Sequence, residues 1–258
     1  MLAPIEGQHS QVIKEILSSK SHDSKTHDRL ADFVALTFYR TPFQKVSIND
    51  LLVASVETTF RMIEEKGMLP SPPESMRPHM INGKMPLPNV EIKNWKLLEM
   101  MFQVYSESPV LQIIKGMKSV VLFSESTNQK SLITSDNPVI LYDQDYDLKS
   151  PYGSGFATPT VEVSIPLSAN ALAIFRHDEL FPNLLDDHLI TSYNNRMVVS
   201  STRFIYTGES TEELFESVKS LHSQSLYSPV AKLESDKCNY IKTKQIPVCR
   251  SHFNGIPH

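Results

Sequence analysis

The sequence predicts an α+β fold, with a helical N-terminal half packed on a small, mostly antiparallel sheet and with helices towards the C-terminus. Two observations support this fold class. Before Gly116, apolar residues recur at spacings of three and four, which is typical of amphipathic helices. After Gly116, short runs rich in β-branched and aromatic residues are separated by turn residues, which is typical of strands. Helices first and strands later is the α+β order.

Three helices are predicted at the start of the chain. Residues 5–17 and 28–40 each carry an apolar stripe. Pro42 is expected to end the second helix, because proline disfavours helical backbone at the residue before it. The third helix is predicted to begin at Ser47, with an acidic residue three positions on as a variant of the capping box, and to end at Gly67.

A proline-rich stretch follows. Residues 68–89 hold six prolines, and so many fixed φ angles predict an extended surface loop, either a lid or a linker. A fourth helix is predicted over 91–106, with Trp95 and Phe102 on its buried side.

Two hairpins are predicted in the second half. The first pairs 119–123 with 131–141, and the second pairs 161–165 with 171–175. A helix over 184–199 is then expected, with Asn183 as its N-cap.

A short strand over 203–206 and a helix capped by Ser210 are predicted to complete a single domain over residues 1–228. Its helical part is 1–116 and its strand-rich part 117–228. The polar segment 229–258 is expected to be a poorly ordered tail.

Composition narrows the classes of function. The formal net charge of −4 argues against a surface built to neutralise nucleic-acid phosphates. The two cysteines, Cys238 and Cys249, are too few for a disulfide-rich secreted scaffold and, with His252, lack zinc-ligand spacing. The N-terminus does not resemble a signal peptide, and no apolar run is long enough to span a bilayer. We therefore expect a soluble, cytoplasmic protein without a membrane partner.

The triplet Asp136-Asn137-Pro138 lies between the apolar runs 132–133 and 139–141. In one interpretation Asp136 braces a turn by accepting backbone N–H groups, and this is favoured because such turns are common. In the other, Asp136 is presented at a strand break as a metal ligand or general base, with Ser135 and Asn137 as hydrogen-bond partners. One carboxylate is a weak metal site, so no metal ligand is assigned.

Several segments together resemble one family. The run Ile133–Val139 resembles the signature of the family called domain of unknown function 4238. The opening Leu2–Glu6, the Arg40-Thr41-Pro42 element and the segment Asn194–Tyr206 are similar to its other elements, in the same order. The histidine–tyrosine–valine–proline motif with which members of the family usually begin is absent here. The resemblance therefore implies a shortened member, and it implies neither a reaction nor a cofactor.

Three further polar residues are candidates for the same site. Arg40 either satisfies the carbonyl groups at a helix end or clamps an anionic group, Asp136 included. Asn194 and Asn195 occupy mid-helix positions where asparagine has poor propensity, and one of them could reach the Asp136 segment. Glu6 and His9 lie three apart on the first helix, a spacing that fits either a metal site or a surface pair.

The function predicted from these residues is a hydrolase-like or ligand-binding domain. Asp136 and Arg40 would be catalytic, and Ser135, Asn137, Asn194 and Asn195 would bind the ligand. The alternative is a non-catalytic interaction module, or a truncated and inactive family member. The partner is then an unspecified ligand or protein, and no cofactor is assigned.

Overall fold

The structure is a computed structural model of the chain. It describes residues 3–71, 73–80, 99, 103, 105, 107–124, 130–143, 145, 155–179, 181–182, 184–208, 212–222, 231–235 and 241–245. The fold is α+β, as the sequence predicts.

The first two helices are longer than their apolar stripes. Helix α1 spans Ala3–Ser19, and α2 spans Ser24–Tyr39. Helix α2 begins four residues earlier than predicted, because Asp23 caps it: its carboxylate accepts the N–H groups of Lys25 and Thr26. Helix α2 ends just before Pro42, as predicted.

Helix α3 spans Pro42–Glu65, so the predicted start at Ser47 is wrong. The hydroxyl of Thr41 accepts the N–H of Gln44, and Pro42 occupies the first helical position, where its missing N–H costs nothing. The same proline therefore ends one helix and begins the next. Gly67 follows with a positive φ of 64°, which confirms its predicted place at the helix end.

The proline-rich stretch contains a 3₁₀ helix, Glu74–His79, and its residues 81–89 lie outside the described residues. Most of the predicted 91–106 helix also lies outside them, although Glu99, Gln103 and Tyr105 are helical. Helix α4, Pro109–Gly116, leads directly into the sheet.

The main sheet of the described residues has four strands. They are β1 (Lys118–Phe123), β3 (Ile140–Asp143), β4 (Val161–Ser168) and β5 (Ala171–Arg176), in the order β1-β5-β4-β3 with every pairing antiparallel. The predicted β4–β5 hairpin is confirmed.

The predicted first hairpin is wrong. Strand β1 pairs with β5 and not with residues 131–141. That segment instead holds two strands that belong to different sheets: β2, Thr134–Ser135, pairs with β6, Ile205–Tyr206, whereas β3 pairs with β4. The triplet at 136–138 lies where the chain passes from one sheet to the other.

The main sheet separates two layers of helices, because side chains alternate across each strand. On β4, Val161, Val163 and Ile165 join the core cluster that contains α1 and α2. On β5, Leu172 and Ile174 join the opposite cluster. That second layer is formed by the helix α5, Asp187–Ser200, which also packs against β3.

Helix α5 begins at Asp187 rather than at Leu184, since Asp186 is the N-cap and its side chain accepts the N–H of Leu189. The residue predicted for that role, Asn183, lies outside the described residues, as does Ser210. Helix α6 spans Glu212–His222.

The segment 229–258, predicted as a poorly ordered tail, contains two antiparallel strands. They are β7, Ala231–Ser235, and β8, Ile241–Gln245. Of the helices in the described ranges, none combines the length and the apolar character needed to cross a bilayer.

Candidate functional site

Asp136 binds the backbone that follows α5. Its two carboxylate oxygens accept the N–H groups of Thr202 and Arg203, each at 2.9 Å. Its own N–H donates to the carbonyl of Phe204 at 3.1 Å. These bonds hold the end of α5 against β2. They are the contacts expected if Asp136 braces a turn.

The neighbours of Asp136 make equally local contacts. The buried Ser135 hydroxyl accepts the N–H of Asn137 at 3.1 Å and donates towards the sulfur of Met197 at 3.2 Å. The buried Asn137 side-chain amide donates to the carbonyl of Ser200 at 3.0 Å. Buried polar groups require such partners, and here the partners are parts of α5 and its end.

The hydrogen bonds of Asn194 explain why an asparagine lies in the middle of α5. Its side-chain oxygen accepts the N–H of Ile133 at 3.0 Å, and its side-chain nitrogen donates to the carbonyl of Ser131 at 2.9 Å. The amide thus satisfies backbone groups just before β2, as a neighbouring strand would. Asn195, the next residue, is half-buried, and it takes part in none of these bonds.

Arg40 lies in the other layer. It is exposed and caps α2, where its N–H donates to the carbonyl of Leu36. Leu36 belongs to the cluster on the α1–α2 face of the sheet, whereas Ile133 and Met197, which neighbour the Asp136 segment, belong to the α5 face. The structure therefore brings Ser135, Asp136, Asn137 and Asn194 together at α5, whereas Arg40 lies at the end of a helix of the other layer.

A buried charged cluster lies under α5, at Glu162. One Glu162 oxygen accepts from Arg196 at 3.0 Å and from the Tyr193 hydroxyl at 2.6 Å, and the other accepts from Arg176 at 3.4 Å. The Arg196 guanidinium also lies 3.7 Å from the centre of the Tyr142 ring. Burial, and then the charge of Glu162, raise the pKa of Tyr193. Each charge in this cluster has a partner, which is typical of a structural core.

Ser164, two residues along β4, is different. It is 1% exposed, and its hydroxyl is the one buried side-chain polar atom of the described residues that lacks a hydrogen-bond partner. It faces a gap between the sheet and α5, also lined by Tyr193, Asn194 and Met197, that is too small to admit a water molecule. This gap cannot hold a ligand.

A larger pocket, here called the His9 pocket, lies on the α1–α2 face, and His9 is one of the residues that line it. The His9 Nε2–H donates to Asp32 at 2.8 Å, and the Tyr105 hydroxyl donates to the other oxygen of the same carboxylate. The hydrogen bonds from His9 and Tyr105 lower the pKa of Asp32, and burial together with Asp32 raises the pKa of Tyr105. The carboxylate therefore stays ionised, and it accepts the proton that His9 carries on Nε2.

This pocket has a volume of about 480 Å³, within the range of small-molecule sites. Its lining residues come from α1, α2 and α4: Gln8, His9, Asp28, Arg29, Asp32 and Lys115. Arg29 is paired with Glu15 at 2.5 Å. Within the described part of the chain, neither Asp28 nor Lys115 forms an ion pair, although Lys115 is near enough to Asp32 that its charge contributes to the lowered pKa of that carboxyl.

The sequence pointed to His9 as one half of a pair with Glu6. The side chain of Glu6 lies outside the described residues. The sequence did not reveal Asp32 or Tyr105, because these residues come from helices far apart in the chain and carry no local motif. Within the described ranges, no three His, Cys, Asp or Glu side chains are grouped so that they could hold a metal ion. Cys238, Cys249 and His252 lie outside those ranges.

Comparison with known proteins supports the resemblance seen in the sequence. The family model described as protein of unknown function (DUF4238) matches residues 1–211 of the 258. No curated protein matches the chain, and no solved structure matches it. The matched span includes the Asp136 segment, the Glu162 cluster and the His9 pocket. The chain therefore belongs to the DUF4238 family.

Proposed function

We propose that the chain binds a small zwitterionic ligand in the His9 pocket. The observation that carries this proposal is the charge arrangement of the pocket, where Asp28 and Lys115 offer opposite charges that are not paired with one another or with other described residues. An ammonium group of the ligand would bind Asp28, and a carboxylate would bind Lys115. His9 Nδ1 would form a hydrogen bond with the ligand between them.

The fixed orientation of the His9 side chain supports a role in ligand binding. Its side chain is only 9% exposed and is held by Asp32, which is held in turn by Tyr105. A side chain that is already held in place loses little conformational entropy when a ligand binds. The ring also packs edge-on to Phe33, with 5.7 Å between ring centres, which restricts it further.

Thermal unfolding with a panel of small molecules tests the proposal. The panel contains free amino acids, the matching amines and the matching carboxylic acids. A ligand at about 100 times its Kd stabilises the folded state by about 2.7 kcal/mol, so an amino acid should raise Tm clearly, and the single-charge analogues should raise it less.

Matched variants identify the pocket as the site. Lys115→Gln and Asp28→Asn should each abolish the shift in Tm. Lys118→Gln should leave it unchanged, because that lysine is exposed on β1 and is paired with Glu179 at 3.4 Å. A shift that persists in both pocket variants, or no shift with any amino acid, would overturn the proposal.

The hydrolase-like function predicted around Asp136 and Arg40 stays a prediction. Both Asp136 oxygens already accept backbone N–H groups, and this supports the brace more than a general base. Asp136→Ala belongs in the same experiment. A folded variant that has lost a ligand response would support Asp136 as a site residue, and a destabilised variant that keeps the response would count against it.

The remaining predictions also stay open. We keep residues 1–228 as the single domain that carries the function, and a cytoplasmic location as its setting. The alternative, a non-catalytic interaction module or an inactive family member, predicts a protein partner whose capture does not change when Asp136 or Lys115 is substituted.

A further inference from the structure

A serine hydroxyl lies between two histidines where α2 meets the sheet. Ser119 is on β1, an edge strand of the four-stranded sheet. Its Oγ is 2.5 Å from Nδ1 of His27, on α2, and 2.6 Å from Nε2 of His22, which precedes that helix. All three residues are half-buried, so the hydroxyl is neither sealed in the core nor freely solvated.

The contact between His27 and the Lys115 carbonyl fixes the direction of the other hydrogen bonds. His27 Nε2 lies 3.0 Å from the carbonyl of Lys115, and a carbonyl can only accept. Neutral His27 therefore carries its proton on Nε2, and its Nδ1 accepts the Ser119 hydroxyl proton. Ser119 Oγ then accepts from Nε2–H of His22.

The far end of this series of contacts is His22. Its Nδ1 lies 3.1 Å from the hydroxyl of Thr26, whose single proton is also directed at the carbonyl and carboxylate oxygens of Asp23, each at 3.0 Å. Burial lowers the pKa of His22, and this favours its neutral form near pH 7. Three bonds thus run in one direction, from His22 through Ser119 and His27 to the Lys115 carbonyl.

We propose that Ser119 is a nucleophile that attacks carboxylic esters, with His27 as its general base. A serine bonded to an imidazole whose other nitrogen is held by an acceptor has the arrangement that activates hydroxyl nucleophiles. His22 adds a donor that stabilises negative charge on Oγ as the proton leaves. This site shares Lys115 with the His9 pocket, through the backbone carbonyl of that residue, but the proposal does not depend on the zwitterionic ligand.

The reaction balances with an ester and water alone. The Oγ–H proton moves to His27 Nδ1 as Oγ bonds to the ester carbonyl carbon. The ester C–O bond then breaks, and the proton on Nδ1 passes to the leaving alkoxide, which departs as the alcohol. Water attacks the acyl-Ser119 carbonyl and gives a proton to His27. The bond between the acyl carbon and Oγ then breaks, His27 returns the proton to Oγ, and the carboxylic acid leaves.

Labelling with a fluorophosphonate tests the nucleophile directly, because Oγ displaces fluoride from phosphorus and leaves a stable adduct. The full chain is incubated with the probe, and mass spectrometry locates the adduct. The expected result is modification of Ser119 in the wild type and no modification at that position in Ser119→Ala. His27→Gln should slow labelling by roughly 10²-fold, the scale of general-base catalysis.

Ser55→Ala is the control. Ser55 is exposed on α3 and donates to the carbonyl of Leu51 at 2.7 Å, far from any histidine contact among the described residues. This variant should label at the wild-type rate. Circular dichroism establishes that each variant is folded. Folded wild type that is not modified at Ser119, or a folded His27→Gln variant that labels as fast as wild type, would overturn the proposal.

Discussion

The carboxylate of Asp136 accepts the backbone N–H of Arg203 at 2.9 Å, across a sequence separation of 67 residues. Together with the bond to Thr202, this contact connects the end of α5 to the passage between β2 and β3. Asp136 thus joins two parts of the chain that are held by few other backbone bonds, since β2 and β6 pair over only two residues each.

Asp136→Ala should lower the free energy of unfolding by about 2 kcal/mol, because two N–H groups lose an ionised acceptor. Asp136→Asn keeps one oxygen acceptor and should lose less. Urea denaturation of both variants measures the difference. Equal stability of Asp136→Ala and wild type would contradict the brace.

Ser164→Ala should raise the free energy of unfolding by about 1 kcal/mol. The substitution removes a buried hydroxyl that has no partner, and burial of such a group is unfavourable. Ser135→Ala is the matched control. That hydroxyl is also buried but accepts the N–H of Asn137, so its removal should lower stability. The prediction fails if both substitutions change the denaturation midpoint in the same direction.

Arg196→Met should destabilise the fold by about 3–5 kcal/mol, because it removes the closest cation from a buried carboxylate. Glu162 would keep Arg176, which is 0.4 Å more distant at 3.4 Å against 3.0 Å. The exposed pair of Glu216 and Lys219 is the control, and Lys219→Met should cost less than about 1 kcal/mol. Comparable losses for the two variants would show that Glu162 is solvated rather than paired.

Stability should fall on mild acidification in a way that depends on His22. Its pKa is lower in the folded chain than its usual value near 6.5, so the unfolded chain binds more protons between the two values. The contribution of His22 is therefore complete above about pH 6.5 and is lost as the pH falls through the folded pKa. The nearby charge of Asp23 opposes this effect and reduces it. Tm measured from pH 7.5 to pH 5 should fall less steeply in His22→Gln, and parallel curves would refute the assignment.

Local patterns predicted those elements whose partners are near in sequence. The β4–β5 hairpin was predicted because its two strand-like runs lie on either side of the short segment 166–170, and strands adjacent in sequence usually pair with each other. The pairing of β1 with β5 was missed, because it joins residues about 50 positions apart and depends on the packing of both faces of the sheet.

In the candidate site, too, local patterns were visible in the sequence, whereas contacts between distant residues were not. The Asp136 triplet stood out because an acid, an amide and a proline interrupt two apolar runs. Its partners at 202 and 203 contribute only backbone N–H groups, which leave no trace in a sequence. The contacts of Asp32 with His9 and Tyr105 likewise arise only when three helices pack together.

Glu162 also influences which strand alignment the chain can reach during folding. Because side chains alternate across a strand, sliding β4 by one residue would exchange its two faces. Glu162 would then lie among the apolar side chains of α1 and α2, far from Arg196, while Val161 or Val163 would take its place beside the guanidinium. Burying an unpaired carboxylate is strongly unfavourable, so this slipped sheet is disfavoured before its packing is complete. A single acidic residue thereby favours the correct register of a strand whose opposite face carries the apolar residues Val161, Val163 and Ile165.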